Sequence, residues 1–200
     1  MGDLFNKKAD EWDTQSIPLQ LSKTIGPALI ENVILDPDME VMDFGAGTGL
    51  LTSHIVPLVK SVAAVDISQS MLDKLAAKPE FHNKVTAYCQ NILQQPLNKQ
   101  FDLIISAMAI HHVKETAHLL KSFTQHLKPG GRIALADLDT EDGSFHPPQT
   151  EGIFHLGFDR ESFSLLLQDA GFEDIQFLTA HIVEKEGVDF PVFLVLGRKK

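Results

Sequence analysis

Val41-Met42-Asp43-Phe44-Gly45-Ala46-Gly47-Thr48-Gly49-Leu50 is the stretch that decides how this chain folds. An apolar run ends in three glycines spaced two apart, and the apolar start of a helix follows. Glycine has no Cβ, so the chain can turn tightly there and a helix N-terminus can come close to a ligand. The spacing is not the GxGxxG of dinucleotide folds. Nor is it GxxxxGK[ST], so the lysine that usually grips nucleotide phosphates is missing. Asp43 just before the turn would repel a pyrophosphate and suits a positively charged ligand. Asp66 closes the next apolar run, where a carboxylate can take both hydroxyls of a ribose.

Outward from the turn, apolar runs recur at 40–45, 61–66, 84–89, 101–107 and 131–138. They are apolar on both faces, as strands covered by helices on both sides should be. Helical spacing fills the gaps. Ser68 caps a predicted helix through Lys78, and a second runs from Lys114 to Leu127 with Leu120, Phe123 and Leu127 on one face. Pro129-Gly130-Gly131 stops it. Asp159 caps a helix carrying Phe163, Leu166, Leu167 and Ala170, which Gly171 ends. Pro57 should interrupt the helix after the glycine turn. Alternating strands and helices predict an α/β fold with right-handed crossovers and a mainly parallel sheet.

The segments 174–183 and 190–197 break this rhythm. Too few residues separate them for a crossover helix, so they predict an antiparallel hairpin with Gly187 in or beside its turn. The expected organisation is a single domain over 1–200, with 1–35 as an N-terminal helical cap and 139–158 as a lid beside the substrate.

Composition narrows the function classes. Asp plus Glu is 27 against 17 Lys plus Arg, a net charge of −10, and the one basic cluster is the tail Arg198-Lys199-Lys200. Such a surface repels a phosphate backbone, which argues against nucleic acid as a partner. Cys89 is the single cysteine, which excludes an internal disulfide and a CxxC centre and fits a reducing compartment. No apolar run reaches a membrane-spanning length, and Asn6 stands where a myristoylation motif after Met1-Gly2 wants Ser or Thr. The expectation is a cytoplasmic protein, monomer or homodimer, without membrane insertion.

VMDFGAGTGL, AAVDIS and FDLIISAMAIHHV followed by LKPGGRIALAD resemble the successive motifs of class I S-adenosylmethionine-dependent methyltransferases. The resemblance covers about 39–138 and is nearest to the small-molecule group of the ubiquinone and menaquinone methyltransferases. It implies a Rossmann-like seven-stranded sheet in the order 3-2-1-4-5-7-6, strand 7 antiparallel, with helices on both faces. It also implies S-adenosyl-L-methionine as cofactor, S-adenosyl-L-homocysteine as product and a small-molecule methyl acceptor. By that resemblance Asp43 acts near the methionine part, with Gly45, Ala46, Gly47 and Gly49 beneath it. Asp66 holds the ribose, Ile67 lies beside the adenine, Asn91 meets its amino group and Ile92 packs on the ring. Ser106 and Ala107 line the sulfonium, and Trp12 covers the site or anchors the terminus.

Methyl transfer from a sulfonium is a displacement along one line, so much of the catalysis is orientation in a dry site. A hydroxyl or protonated amine as acceptor also needs a base, and histidine titrates nearest neutral pH. His111-His112 leaves the fourth strand at the end of the sheet that carries the glycine turn, and His155 sits in the 139–158 segment. At least one of the three is expected to face the methyl-bearing sulfur; capping a helix or holding a loop is the other use open to each. The histidine pair does not suggest zinc, and no metal is expected. Two other readings remain beside a small-molecule methyltransferase: a non-catalytic cofactor-binding protein that regulates or forms a complex, and a protein methyltransferase.

Overall fold

Val41 and Met42 are both fully buried although neighbours in a strand point to opposite faces. The strand that holds them is therefore covered on both sides. In the computed structural model, which describes residues 9–200, it is the first of seven. These are β1 (Glu40–Phe44), β2 (Ser61–Asp66), β3 (Val85–Cys89), β4 (Phe101–Ala107), β5 (Leu127–Leu138), β6 (Phe172–Lys185) and β7 (Val188–Lys199). They form one sheet in the order β3-β2-β1-β4-β5-β7-β6. The first five pair in parallel, and β7 runs antiparallel between β5 and β6. This is the topology that the sequence resemblance implies.

Alternation along the strands feeds two cores. Val41, Val62, Ala64, Leu103, Ile105 and Ala136 face α1 (Ser16–Asn32), α2 (Thr52–Ile55) and α3 (Gln69–Ala76), which contribute Ile25, Leu29, Ile55, Leu72 and Leu75. Met42, Ala63, Val65, Ile104 and Leu135 face α4 (Thr116–His126) and α5 (Arg160–Asp169), which contribute Leu119, Leu120, Phe123, Phe163 and Leu167. Each large side chain so buried is worth roughly 1.5–3 kcal/mol.

The predicted punctuation holds at several points. Ser68 Oγ accepts from Met71 N at 3.3 Å and Asp159 Oδ1 from Ser162 N at 2.9 Å, capping α3 and α5. α2 passes at Val56 into a 3-10 turn that contains Pro57. Lys185 pairs with Val188, and the two residues between, Glu186 and Gly187, both have positive φ, as a tight hairpin turn needs.

α1 begins at Ser16, with Pro18 in its first turn, where no backbone donor is required. α3 ends at Ala76 rather than Lys78, and α4 spans Thr116–His126 rather than Lys114 to Leu127. β5 begins at Leu127 rather than Gly131. The register jumps from Phe101↔Leu127 to Leu103↔Arg132, so Pro129-Gly130-Gly131 bulges out of a strand that has already started. Of the expected 1–35 cap, residues 1–8, Asn6 among them, lie outside the described residues.

The 139–158 segment is irregular but tied down at several points. Asp139 bridges Phe158, and Lys185 Nζ donates to Ser144 O and Phe145 O at 3.1 and 2.9 Å. Phe154 N and His155 N both donate to His111 O, at 3.0 and 3.2 Å. Among the described residues no helix is long and apolar enough to cross a membrane.

Candidate active site

Three parallel strands end in or near an aspartate at one edge of the sheet: Asp43 on β1, Asp66 on β2 and Asp137 on β5. The glycine turn lies across this edge. Gly45 N and Ala46 N donate to Val65 O at 2.8 and 3.1 Å, which draws the turn over the end of β2. Gly45 has a φ of 69°, and a Cβ there would stand 2.3 Å from the Cβ of Ala109. The turn and the chain leaving β4 are thus packed so closely that only glycine fits.

Asp66 clasps this turn. Its Oδ2 accepts from Gly47 N and its Oδ1 from Ser68 N, both at 2.8 Å. Two carboxylate oxygens at the sheet edge are acceptors of the kind a diol would use. Beside it Ile67 is 66% exposed, an apolar face open to a flat ring. Gly47 has only open space where a Cβ would be. A backbone cradle, a carboxylate and an exposed apolar side chain in succession fit an adenosine.

Asp43 lies behind the turn, 1% exposed, and Thr52 Oγ1 donates to its Oδ2 at 2.6 Å. Burial pushes its carboxyl up to about 7, the nearby Asp66 charge adds to this, and the Thr52 hydrogen bonds offset part of it. A buried carboxylate poised near neutrality favours a positively charged ligand.

The N-terminal segment is fastened to the same turn. Thr48 Oγ1 donates to Asp13, whose other oxygen pairs with Lys78 at 2.7 Å, and Asp10 pairs with Lys74 at 2.6 Å. Half-buried Trp12 lies in the 3-10 turn Trp12–Thr14 that carries these contacts. Ser22 Oγ donates to Leu50 O at 2.9 Å from α1.

Other expected cofactor contacts are placed differently. Asn91 is exposed and its Oδ1 accepts from Leu93 N at 2.9 Å. Ile92 is 1% exposed and packs into the core beneath the sheet edge instead of presenting a face to solvent. Ser106 is fully buried, and its hydroxyl donates to Phe44 O at 2.8 Å, tying β4 to β1. Ala107 is half-buried at the end of β4.

The three histidines separate. Val113 O and Thr116 Oγ1 each lie 3.0 Å from His155 Nε2. A carbonyl only accepts, so that nitrogen donates, and the ring anchors the 139–158 segment to the start of α4. His112 Nδ1 donates to Gly152 O at 2.8 Å, a second anchor. His111 is buried beside Asp137, its Nδ1 2.7 Å from Asp137 Oδ1. His146 from the 139–158 segment completes a cluster, its ring centroid 5.1 Å from that of His111 and 6.2 Å from that of His112. Among the described residues no group of three or more His, Cys, Asp or Glu is arranged to hold a metal ion.

Asp137 was not singled out by the sequence. Its signal was there: an aspartate at or next to the end of an apolar strand, like Asp66 and Asp43. Asp13, Thr48 and Thr52 left no such trace, because their roles depend on contacts between distant segments.

Residues 20–177 match a family described as a methyltransferase domain. An uncharacterized methyltransferase of Schizosaccharomyces pombe is 29% identical over 157 residues, which are 70% of this chain and 55% of that one. Another, from Geobacillus sp. strain WCH70, is 32% identical over 136 residues, 63% of each chain. The chain thus spans less than two thirds of the length of these two relatives. Among solved structures, a Haloferax volcanii methyltransferase in complex with the Trm112 methyltransferase activator superposes with a TM-score of 0.80 at 16% identity, covering 99% of this chain and 98% of that one. The magnesium protoporphyrin IX methyltransferase of Synechocystis PCC 6803, with S-adenosylhomocysteine bound, gives 0.73 at 18%, covering 99% and 97%. With the family match running over most of the chain, from α1 into β6, this protein belongs to the methyltransferase-domain family.

Proposed function

We propose that this chain takes S-adenosylmethionine at the carboxyl edge of its sheet and transfers the methyl group to a small organic acceptor. The observation that carries the reading is the clasp between Asp66 and the glycine turn, with exposed Ile67 beside it and buried Asp43 behind. The cofactor supplies an electrophilic methyl group on a sulfonium. The protein's part is to bind and align it: Asp66 for the ribose, Ile67 for the adenine, Asp43 and the turn for the charged methionine end. Ala107 borders the path to the acceptor, while Ser106 and Ile92 shape it from within. Asn91, Trp12 and the 1–35 cap close over the cofactor, and 139–158 roofs the acceptor side. All belong to one domain.

Support for a small acceptor comes from relatives of several chemistries. A ubiquinone biosynthesis O-methyltransferase of Rickettsia canadensis and a malonyl-[acyl-carrier protein] O-methyltransferase of Priestia megaterium are 24% and 26% identical to this chain. Calorimetry with S-adenosylhomocysteine and NADH tests the cofactor, and binding of NADH alone would overturn it. Incubation with S-adenosylmethionine and a metabolite panel, followed by mass spectrometry, tests the acceptor. The Haloferax neighbour favours a second reading, in which the chain works in a complex with a partner subunit or on a protein. Light scattering and activity with and without cell extract separate the two.

A further inference from the structure

The His111–Asp137 pair is built for more than packing. Asp137 is fully buried, and its Oδ2 accepts from Ile110 N and His111 N at 3.0 and 3.2 Å. Its Oδ1 accepts from Leu138 N at 2.8 Å and from His111 Nδ1 at 2.7 Å. Burial alone would push this carboxyl up, but the contact with the His111 ring and the hydrogen bonds from that ring and from the Leu138 and His111 backbone N–H groups outweigh it and hold it below its ordinary range. An ionised carboxylate only accepts, so in the neutral ring the proton sits on Nδ1. That leaves Nε2 with its lone pair. It is buried and has no hydrogen-bond partner.

An orphaned buried nitrogen costs about 1–3 kcal/mol. Position explains what it is kept for. Met108 N donates to Ala136 O at 2.9 Å, so the chain leaving β4 crosses to the end of β5. The turn Ile110–His112 then lies one strand over from the glycine turn, where Ala109 touches Gly45. His112 and His155 each spend a ring nitrogen on a carbonyl. The groups facing the His111 ring are His112 from its own turn, His146 from the lid and Asp137 from β5.

We infer that Asp137 positions His111 as the base that takes a proton from the acceptor, so the acceptor's nucleophilic atom carries a proton: a hydroxyl, an amine or an activated carbon acid. This rests on the methyl transfer proposed above. The acceptor's bond to hydrogen breaks toward Nε2 as its electron pair forms the bond to the methyl carbon. The pair of the breaking sulfur–carbon bond stays on sulfur. The positive charge that began on sulfur ends on the imidazole beside Asp137, and water then takes the proton.

Long-range proton–nitrogen NMR of the histidine-labelled full chain reads the ring nitrogens without turnover, with His111→Gln giving the assignment. At pH 8, with S-adenosylhomocysteine present, His111 should show a protonated Nδ1 and a bare Nε2. Asp137→Asn, whose amide can donate to Nδ1, should shift the proton toward Nε2. A wild-type proton on Nε2, or an unchanged spectrum in Asp137→Asn, overturns the inference. Turnover on phenols, primary amines and 1,3-dicarbonyl compounds is the second arm. Asp137→Asn should lower kcat about 10–100-fold, leave KM for S-adenosylmethionine within about twofold and move the acid limb of the pH profile, with partial rescue in Asp137→Glu. An unmoved limb overturns it, as does methylation confined to acceptors without a transferable proton. Melting of His111→Gln, which keeps the backbone bonds of Asp137, separates chemistry from folding. The NMR arm decides even if no panel member reacts, and failure of wild type to bind S-adenosylhomocysteine would instead sink the proposed methyl transfer.

Discussion

The two edges of the sheet treat their carboxylates in opposite ways. At the amino edge Glu40 meets Lys99 at 3.1 Å and Asp102 meets Lys128 at 2.8 Å, on half-exposed side chains. At the carboxyl edge Asp43 and Asp137 are buried, and what they accept is a hydroxyl, backbone N–H groups and an imidazole. One edge is neutralised by the protein's own cations. The other keeps negative charge out of water, at a cost to folding, in front of the turn where a cationic cofactor would lie.

For Asp43 against the amino-edge carboxyls that contrast predicts pH slopes of opposite sign, with Asp43 the larger; Asp137, held low by its hydrogen bonds, follows the amino-edge sign. The Asp43 carboxyl stands at about 7 when folded, against an ordinary value of 3.8. Between those values the folded state holds a proton that the unfolded chain has released. The Asp43 contribution to stability therefore falls as pH rises from about 4 to 7. Asp43→Asn should stabilise the cofactor-free protein at pH 8, by on the order of 2–4 kcal/mol. Cofactor affinity should fall in the same variant, and in wild type it should weaken as pH drops from 8 to 6. Thermal melts and calorimetry across that range check both. A variant no more stable than wild type at pH 8 would break the idea that this edge is held under electrostatic cost.

Next in size is Asp66→Ala. It removes the clasp on Gly47 and the two acceptors for a diol, so affinity for S-adenosylhomocysteine should fall by about 1.5–3 kcal/mol, roughly 10–150-fold. Unchanged affinity would take the ribose role from Asp66 and leave it as a brace for the turn.

Much of this was legible because buried parallel strands write themselves as apolar runs, and because the glycine turn and Asp66 are local to those runs. The hairpin was legible for the same reason, its loop being too short for anything else. Choosing among His111, His112 and His155 was not. The choice depends on an aspartate 26 residues further on, on the Gly152 carbonyl for His112 and on the Thr116 hydroxyl for His155, each about 40 residues away. No local pattern encodes such distances. Ile92 and Ser106 show the same limit: the resemblance puts one on the adenine ring and the other at the sulfonium, and only packing shows Ile92 in the core and the Ser106 hydroxyl on Phe44 O. Pro129-Gly130-Gly131 reads locally as a break, whereas pairing of Leu127 with Phe101 has already begun the strand.

A smaller effect probes the proposed cap over the carboxyl edge. Asp13 joins Thr48 of the glycine turn to Lys78, two residues past α3. Asp13→Ala should loosen the N-terminal segment and speed cofactor release by about 3–10-fold, with little change in melting temperature. Stopped-flow displacement measures it. An unchanged release rate would mean that the cap does not cover the bound cofactor.

The smallest effect belongs to the amino edge, and it is the control for the comparison. Lys128 pairs with Asp102 and also lies 3.6 Å from Glu40, its side chain 39% exposed. Burial tends to raise the Asp102 carboxyl, but the Lys128 hydrogen bond and the backbone N–H of Glu40 outweigh it and hold it low; Lys99 does the same for Glu40. Carboxyls held low contribute stability at neutral pH and lose it as acid protonates them in the folded state, below about pH 4. Solvent screening keeps each such pair near 0.2–1 kcal/mol. Lys128→Met should therefore lower stability at pH 7 by no more than about 1 kcal/mol, less in high salt, and not at all once the carboxyls are protonated. Cofactor affinity should not move, because the pair lies at the opposite end of the strands from the glycine turn. A loss of several kcal/mol, or any loss of cofactor affinity, would show that the two edges are coupled through β1 and β4 rather than divided between holding the fold and holding the ligand.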